Sequence, residues 1–495
     1  MVHFTDARPE VSVYLFKTIS RTTVDGQKAA SARYQGKDDY IDLTPFLDDG
    51  SAVRTSKSPR EPAGGFNIAF ADKAQSGAAS QKLETIYGLV EPMDGIEIRM
   101  WNGVGARPEV LPIKMRGFVS TVTRPQTMGQ NGKPIRQVVI SGQDFGKIWQ
   151  MYQVLYLQAY SEGKALLTTY ALQELFGIAA KNTMPAAEVV KEAIDKIINP
   201  FLKSMLPEHW DALGMPTQIK TDIAVKRGVI GSNSFQNTQG SIYDILRSNT
   251  DVPTWNELYI EDREDGVYCV YRPIPALTLL KHEKIQSDAV DPVYVEIEDS
   301  IIEGITVERS DANVANFYWV NNTRYDLIDE IQRKLQSIPS SDTKVNSVYP
   351  NSSAKYYGTR PMYAETQLSG DNITNVGSGQ SKDEIAANQP KVLSWIDQRR
   401  KELVEMNKDN VVFERGSARV KGGQMRSRAD AMRAGDYARF IQGQMVWDAY
   451  VIQMDDDFQP FSSYSQTLSF ERGEGFATRI GMESGAWLVE QASRL

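Results

Sequence analysis

The chain has 495 residues, room for about three or four domains at roughly 100–200 residues each. Hydrophobic residues make up 41% and charged residues 24%, an ordinary globular balance. Lys plus Arg (55) against Asp plus Glu (63) leaves a net charge of −8, the opposite of the cationic surface that nucleic-acid backbones select. The single cysteine, Cys269, excludes an intrachain disulfide framework. The three histidines, His3, His209 and His282, are far apart in sequence and give no basis for a zinc site of Cys or paired His ligands. The opening MVHFTDARPEV lacks the cationic-then-apolar pattern of a signal peptide, and no run of about 18 apolar residues occurs. The expectation is a soluble chain made in a reducing cytosol.

The first stretch reads as β. In IEIRMW, Ile96, Ile98 and Met100 share one face while Glu97 and Arg99 point away, the period of a half-buried strand. The run 113–124 meets 136–141 across a connection containing Asn131-Gly132, which tolerates positive φ, so a long hairpin is expected. Short strands with Gly/Pro turns point to a barrel or sandwich. From residue 143 the period becomes helical. In DFGKIWQMYQVLYLQAY, Ile148, Tyr152, Leu155 and Tyr156 form a stripe that Asp144 can cap. A second helix is predicted over 164–176. A third begins near Pro185, with Val190, Ile194, Ile197 and Ile198 as its apolar face.

After Gly228 a short helix at SIYDILRSN precedes two strand-like runs around Asp265-Gly266, a strong hairpin signal. Strands are expected at 293–297, 303–309 and 317–322, and a helix at 325–336. Residues 339–380, rich in Ser, Asn, Gly and Thr, read as a loop. Residues 382–410 read as a helix that Pro390 breaks or kinks. The last segment, 411–495, is β again; it resembles the first in kind, without a residue-level repeat. The fold class is therefore α+β and β-rich: two small β-barrel domains, a helical insertion and a middle mixed α/β region. The division is 1–142 (N-terminal barrel), 143–225 (insertion), 226–380 (middle), and 381–495 (helix and C-terminal barrel).

No catalytic motif is complete in the sequence. A P-loop needs GK followed by Ser or Thr; Gly36-Lys37, Gly132-Lys133, Gly146-Lys147 and Gly163-Lys164 all lack it, and VGSGQSK (376–382) lacks the spacing. A Ser or Cys nucleophile needs a base, usually histidine, and the scattered histidines do not supply one. Glycoside hydrolysis needs only two suitably spaced acids. Glu257, Glu261, Asp262, Glu264 and Asp265 cluster around the second hairpin, with a solvated turn as the simpler reading. Asp455-Asp456-Asp457 lacks the alternation and glycine of a calcium loop and reads as an exposed acidic loop. The basic cluster Arg415, Arg419, Lys421, Arg426, Arg428 and Arg433 reads as a polar barrel face or subunit contact rather than a phosphate track. Trp149, Tyr152 and Tyr156, and Phe317, Tyr318 and Trp319, read as core rather than stacking platforms. Catalytic, cofactor-binding and metal residues are all expected to be absent.

Four stretches carry a resemblance: GFVSTVTRPQTMGQNGKPIRQVVISGQDFGKIWQ; DVPTWNELYIEDREDGVYCVYRPIPAL; ITVERSDANVANFYWVNN; and YYGTRPM followed later by RAGDYARF. In this order the chain resembles the tail and baseplate hub proteins of tailed bacteriophages. The resemblance implies a structural, non-enzymatic homotrimer in the tail baseplate of the virion, assembled in the host cytoplasm. Each subunit would carry two similar barrels, so that three subunits present six positions to the tail tube or distal tail protein. The other face would offer three-fold symmetry to a central spike, around a DNA exit channel. A tape-measure protein and baseplate wedge proteins are further implied partners; stable nucleic-acid binding and membrane association are not expected. The alternative is a carboxylate-dependent enzyme acting on glycan or peptidoglycan, with Glu257 and Asp262 as its acids.

Overall fold

The computed structural model describes residues 9–18, 40–48, 50–72, 86–101, 103, 107–128, 132, 134–155, 167–168, 183–231, 239–322, 349–370, 382–421, 432–460 and 463–482. The first part supplies β1 (Glu10–Phe16), β2 (Ile41–Asp42), β3 (Ala52–Lys57), β4 (Gly65–Ala71), β5 (Gly95–Trp101), β6 (Ile113–Thr123), β7 (Gln126–Met128) and β8 (Pro134–Asp144). The middle holds α1 (Gly146–Met151), β9 (Gln153–Leu155), β10 (Leu167–Thr168), β11 (Thr183–Pro185), α2 (Ala186–Ala193), a π-helical turn at Ile194–Ile198 and α3 (Asn199–Met205). It continues with β12 (Ile219–Ile223), β13 (Val229–Gly231), β14 (Gly240–Ser241), α4 (Ile242–Asn249), β15 (Asn256–Arg263) and β16 (Gly266–Pro273). The remainder is β17 (Tyr294–Glu298), β18 (Ile302–Glu308), β19 (Phe317–Asn322), α5 (Ala354–Tyr357), β20 (Pro361–Thr366), α6 (Lys382–Asn407), β21 (Glu414–Lys421), β22 (Tyr437–Gln442), β23 (Met445–Gln459), β24 (Ser463–Gly473) and α7 (Gly475–Met482).

Alternating side chains define two separate β cores. One gathers Val13, Leu15, Val53, Ile68, Phe70, Ile96, Ile98, Met115, Val138 and Ile140 from β1, β3, β4, β5, β6 and β8. The other gathers Val295, Ile297, Ala418, Val420, Phe440, Trp447, Ala449, Leu468 and Phe470 from β17 and β21–β24. Burying each such side chain contributes roughly 1.5–3 kcal/mol. A third core, with Trp149, Val190, Ile194, Trp210, Leu258, Cys269 and Tyr271, lies in the middle region. The two β cores share one 14-stranded sheet, because the second half of β23 pairs antiparallel with β3.

The two halves of that sheet have the same topology. Strand order β3-β4-β8-β6-β5 in one half matches β18-β21-β24-β23-β22 in the other. Each neighbouring pair in both runs is antiparallel. Chain order matches too, but the flanking strands differ: β17 pairs parallel with β22, whereas β1 pairs antiparallel with β5. Matching strands also carry matching bulges: β6 between Val119 and Thr121, β23 between Val451 and Gln453. An extra residue there increases local twist. Four residues before each bulge sits a cross-strand ion pair of opposite polarity, Glu97 with Arg116 in the first half and Arg439 with Asp448 in the second. A helix follows the last strand in both, α1 after β8 and α7 after β24.

The structure departs from the sequence pattern at several places. The helix from residue 146 ends at Met151, and Gln153–Leu155 is a strand. Of the described residues in 164–176, Leu167–Thr168 pair with β9 as a strand. β20 lies inside the stretch read as loop and pairs with β19. α6 runs through Pro390 unbroken; the carbonyl that proline leaves without a donor belongs to Ala386, which is exposed. The strip GFATRIGM is the helix α7 rather than strand. β5 is buried on both faces, Glu97 and Arg99 included, because the middle region covers its outer side. The helix expected at 325–336 lies outside the described residues. The strands expected at 293–297, 303–309 and 317–322 are present as β17, β18 and β19. Among the described residues, no helix is long and apolar enough to cross a membrane.

Candidate functional site

The acidic hairpin is the junction of the molecule. β15 and β16 pair from Asn256–Pro273 to Arg263–Gly266, as the Asp265-Gly266 signal predicted, and Gly266 takes φ +151°. Successive side chains of a strand point to opposite sides, so this hairpin can address both β modules at once. Toward the first module, Lys57 of β3 donates to Asp262 (2.5 Å) and to Asp144 at the end of β8 (2.8 Å). Arg99 donates to Glu264 (2.8 Å), which also accepts from the Ile113 backbone N–H (2.7 Å). Arg116 donates to the Arg263 carbonyl (2.7 Å) while it holds Glu97.

Toward the second module, Arg433 donates to Glu261 (2.9 Å). Arg272 donates to Glu257 (3.1 Å) and to the Gly435 carbonyl (2.9 Å), and the Tyr450 hydroxyl donates to Glu257. Gly435 has φ +94°, and a Cβ there would sit 2.4 Å from the Arg272 guanidinium. Asp265 at the tip accepts from Lys220 (3.0 Å) and from the Tyr268 hydroxyl. The hydroxyl and then the lysine hold its carboxyl down, at about 2.

A second contact joins the modules directly. Asp456, predicted in an exposed acidic loop, is buried within β23. It accepts from Lys114 (3.0 Å), Thr55 (3.1 Å), Tyr464 (2.7 Å) and Gln466 (2.7 Å). Burial pushes its carboxyl up, but Lys114 and the hydroxyl and amide donors outweigh that and leave it below the usual carboxylate range. Its neighbours lie differently: Asp455 accepts from Gln453 (3.1 Å), and Asp457 pairs with Arg54 (3.3 Å). A cavity of about 60 Å³ lies among Lys57, Lys114, Arg433, Glu261, Asp262 and Asp456. Asp262 Oδ1 is buried there without a hydrogen-bond partner, and the space admits water. Burial opposes the charge on Lys57, yet Asp144 and Asp262 keep its pKa above the ordinary lysine value. Burial also raises Asp144, against the pull of Lys57 and with the repulsion of Asp262.

Chemically this arrangement is a clamp. A glycosidase needs a protonated acid and a free carboxylate facing a cleft. Here Glu257, Glu261, Asp262, Glu264 and Asp265 are each engaged by an Arg or Lys. The other singled-out residues fall elsewhere. In the basic cluster, Arg415 pairs with Glu308 and Arg419 with Glu303 across β18 and β21, Lys421 is exposed, and Arg426 and Arg428 lie outside the described residues. Trp149 and Tyr318 are core. Tyr152 packs on Phe201, and Phe317 and Trp319 are half-buried. Tyr156 and His3 lie outside the described residues. Cys269 is buried in the middle core, where burial pushes its thiol up. His209 is exposed, and His282 meets Glu474. Lys147 of the Gly146-Lys147 pair donates to the Val119 carbonyl and the Ser120 hydroxyl at the β6 bulge. Among the clamp's cations, Arg433 belongs to the basic cluster read from sequence as a polar face or subunit contact, and Arg99 to the strand pattern of β5; Lys57, Lys114, Arg116 and Arg272 carry no sequence signal because they are scattered singly among strand residues.

No family model and no curated protein matches the chain. Among solved structures, the chain is similar to a tail protein from Neisseria meningitidis MC58, with TM-score 0.44 and 11% identity over 95% of this chain and 98% of that one. It is also similar to the 43 kDa tail protein of prophage MuSo2 from Shewanella oneidensis, with TM-score 0.44 and 9% identity over 93% and 98%. A third is the E. coli c3393 protein, a type VI secretion component described as structurally similar to T4 tail proteins gp27 and gp5. Its TM-score is 0.33, with 6% identity over 85% and 72%. All three similarities combine low identity with high coverage of this chain.

Proposed function

We propose that this chain is a structural hub subunit of a phage tail baseplate. The observation that carries the proposal is the repeated β module: two halves of one subunit with the same strand order, the same bulge and the same cross-strand ion-pair position. In this reading each half is one small barrel-like module. Three subunits then present six near-equivalent modules around an axis, which matches a six-fold tube on one face and a three-fold spike on the other. A closed ring requires complementary surfaces repeated on every subunit. The clamp keeps the two modules in one fixed relation, which symmetry matching requires. The four ordered sequence stretches quoted above support the same reading.

In this reading the subunit is not an enzyme and works in the virion tail. Its partners are the tail tube or distal tail protein, the spike, the tape-measure protein and the wedge proteins around the DNA exit channel. The native mass of the purified chain tests the assembly: a species three times the 55.4 kDa subunit is expected, and a monomer at every concentration overturns it. The carbohydrate-enzyme alternative predicts release of soluble sugar from peptidoglycan or host polysaccharide, lost in Glu257→Gln or Asp262→Asn. The hub reading predicts no release.

A further inference from the structure

The matching ion pairs mark matching docking points, and the second is left short of positive charge. In the first module Arg116, opposite Glu97, reaches the carbonyls at the β15–β16 turn, and Arg99 neutralises Glu264. In the second, Asp448 occupies the position of Arg116, and the segment that comes to it is Leu280–His282 from the middle region. Two carboxylates meet there, Asp448 and Glu474, both buried. Glu474 is placed by its backbone N–H donating to the Asp448 carbonyl (3.2 Å). Arg439 supplies one positive charge, its Nε and Nη2 donating to Asp448 at 2.8 and 2.9 Å while it stacks on Tyr294. His282 Nε2 lies 3.2 Å from Glu474 Oε1. With a neutral imidazole, two negative charges therefore face one positive charge.

We propose that His282, Asp448 and Glu474 form a site for a divalent transition-metal ion such as Zn²⁺. One ligand atom from each lies within 4.8 Å of the other two. At bond lengths of about 2.0–2.2 Å, ligand atoms around one tetrahedral ion stand roughly 3.4 Å apart, so His282 and Glu474 already have the spacing. Asp448, whose ligand atom lies within 4.8 Å of both, has to close to that spacing. A carboxylate has about four acceptor positions, so Arg439 leaves one on each oxygen for the ion. A cavity of about 370 Å³, bordered by Leu280, Val446 and Thr478, adjoins the three residues and has room for a water as fourth ligand. The composition had excluded zinc sites built on cysteine or paired histidines; a single His with two carboxylates escapes that exclusion. The ion would tie the middle region to the second module where the first module uses arginines.

The test is titration calorimetry of the full chain at pH 7.5 with Zn²⁺ and separately with Ca²⁺, alongside thermal melts and the visible spectrum with Co²⁺. Expected are one saturable Zn²⁺ site per chain, a raised midpoint, and a Co²⁺ spectrum of tetrahedral strength. Ca²⁺, which takes oxygen ligands, should bind much more weakly. His282→Ala and Glu474→Gln should each weaken Zn²⁺ binding about 100-fold, and His209→Ala should not. No saturable binding, or binding unchanged in both His282→Ala and Glu474→Gln, overturns the proposal; a melt that responds to protonation of His282 but not to metal does so too. The variants' melts without metal show that they fold. The hub reading stands or falls on other measurements.

Discussion

Lys57→Met is the sharpest test of the clamp. Lys57 is the shared cation of Asp144 and Asp262, whose side chains are 1% and 2% exposed. Methionine keeps the length and apolar stem but removes the charge, leaving two buried carboxylates facing each other. Breaking a buried pair by removing one partner costs about 3–5 kcal/mol, against about 0–1 kcal/mol for an exposed pair. The expected loss at pH 7 is therefore about 3–5 kcal/mol, read as a drop in the urea midpoint with an unchanged slope. A pH signature goes with it. Burial already raises Asp144 above its unfolded value, and without Lys57 it rises further. A carboxyl raised in the folded state adds stability that is fully present at low pH and is lost as pH rises through the folded value. The deficit of Lys57→Met should shrink on acidification, and Lys57→Met with Asp262→Asn should recover part of it at pH 7. A loss under about 1 kcal/mol with no pH dependence would refute the clamp.

Other outcomes follow from single contacts. Asp456 has a depressed carboxyl in the folded state, so its stabilisation is present above the unfolded value of about 3.9. It is lost as pH falls through the lower folded value; acid unfolding monitored by fluorescence should therefore lose part of its steepness in Asp456→Asn. Gly117→Ala would place a Cβ 2.2 Å from the Gln143 carbonyl. Forcing β6 and β8 apart should cost about 1–3 kcal/mol in chemical denaturation. Ser241 accepts from the Asp244 N–H (3.1 Å) at the start of α4, and Ser241→Ala should cost about 1 kcal/mol by the same assay.

Local structure was legible wherever one period dominated. The hairpins at 113–144 and 256–273, the strands of β17 to β19, the helix after Pro185 and the short helix α4 all followed from alternation, turn residues or helical period. Failures came where tertiary contacts decided. Gln153–Leu155 has an apolar pattern that fits a helix, but its backbone pairs with β14 and β10. β23, the longest strand among the described residues, is hard to read from sequence because Asp455–Asp457 interrupts its apolar run, and the contacts with Lys114, Thr55, Tyr464 and Gln466 explain how Asp456 is buried. The acidic hairpin was visible in sequence, but its role was not, since its cations come from segments up to 205 residues away. The module repeat left no residue-level trace because it keeps strand order and bulge position while reversing even the polarity of Glu97–Arg116 in Arg439–Asp448.

The central claim is that two alike modules per subunit turn three copies into a six-position ring. Electron-microscope class averages of the purified assembly viewed down its axis test this most directly. The account predicts a closed ring with six similar densities at coarse resolution, resolving into three repeats at finer resolution. Isolated particles without rotational symmetry, or a ring whose repeat number is not three, would contradict it.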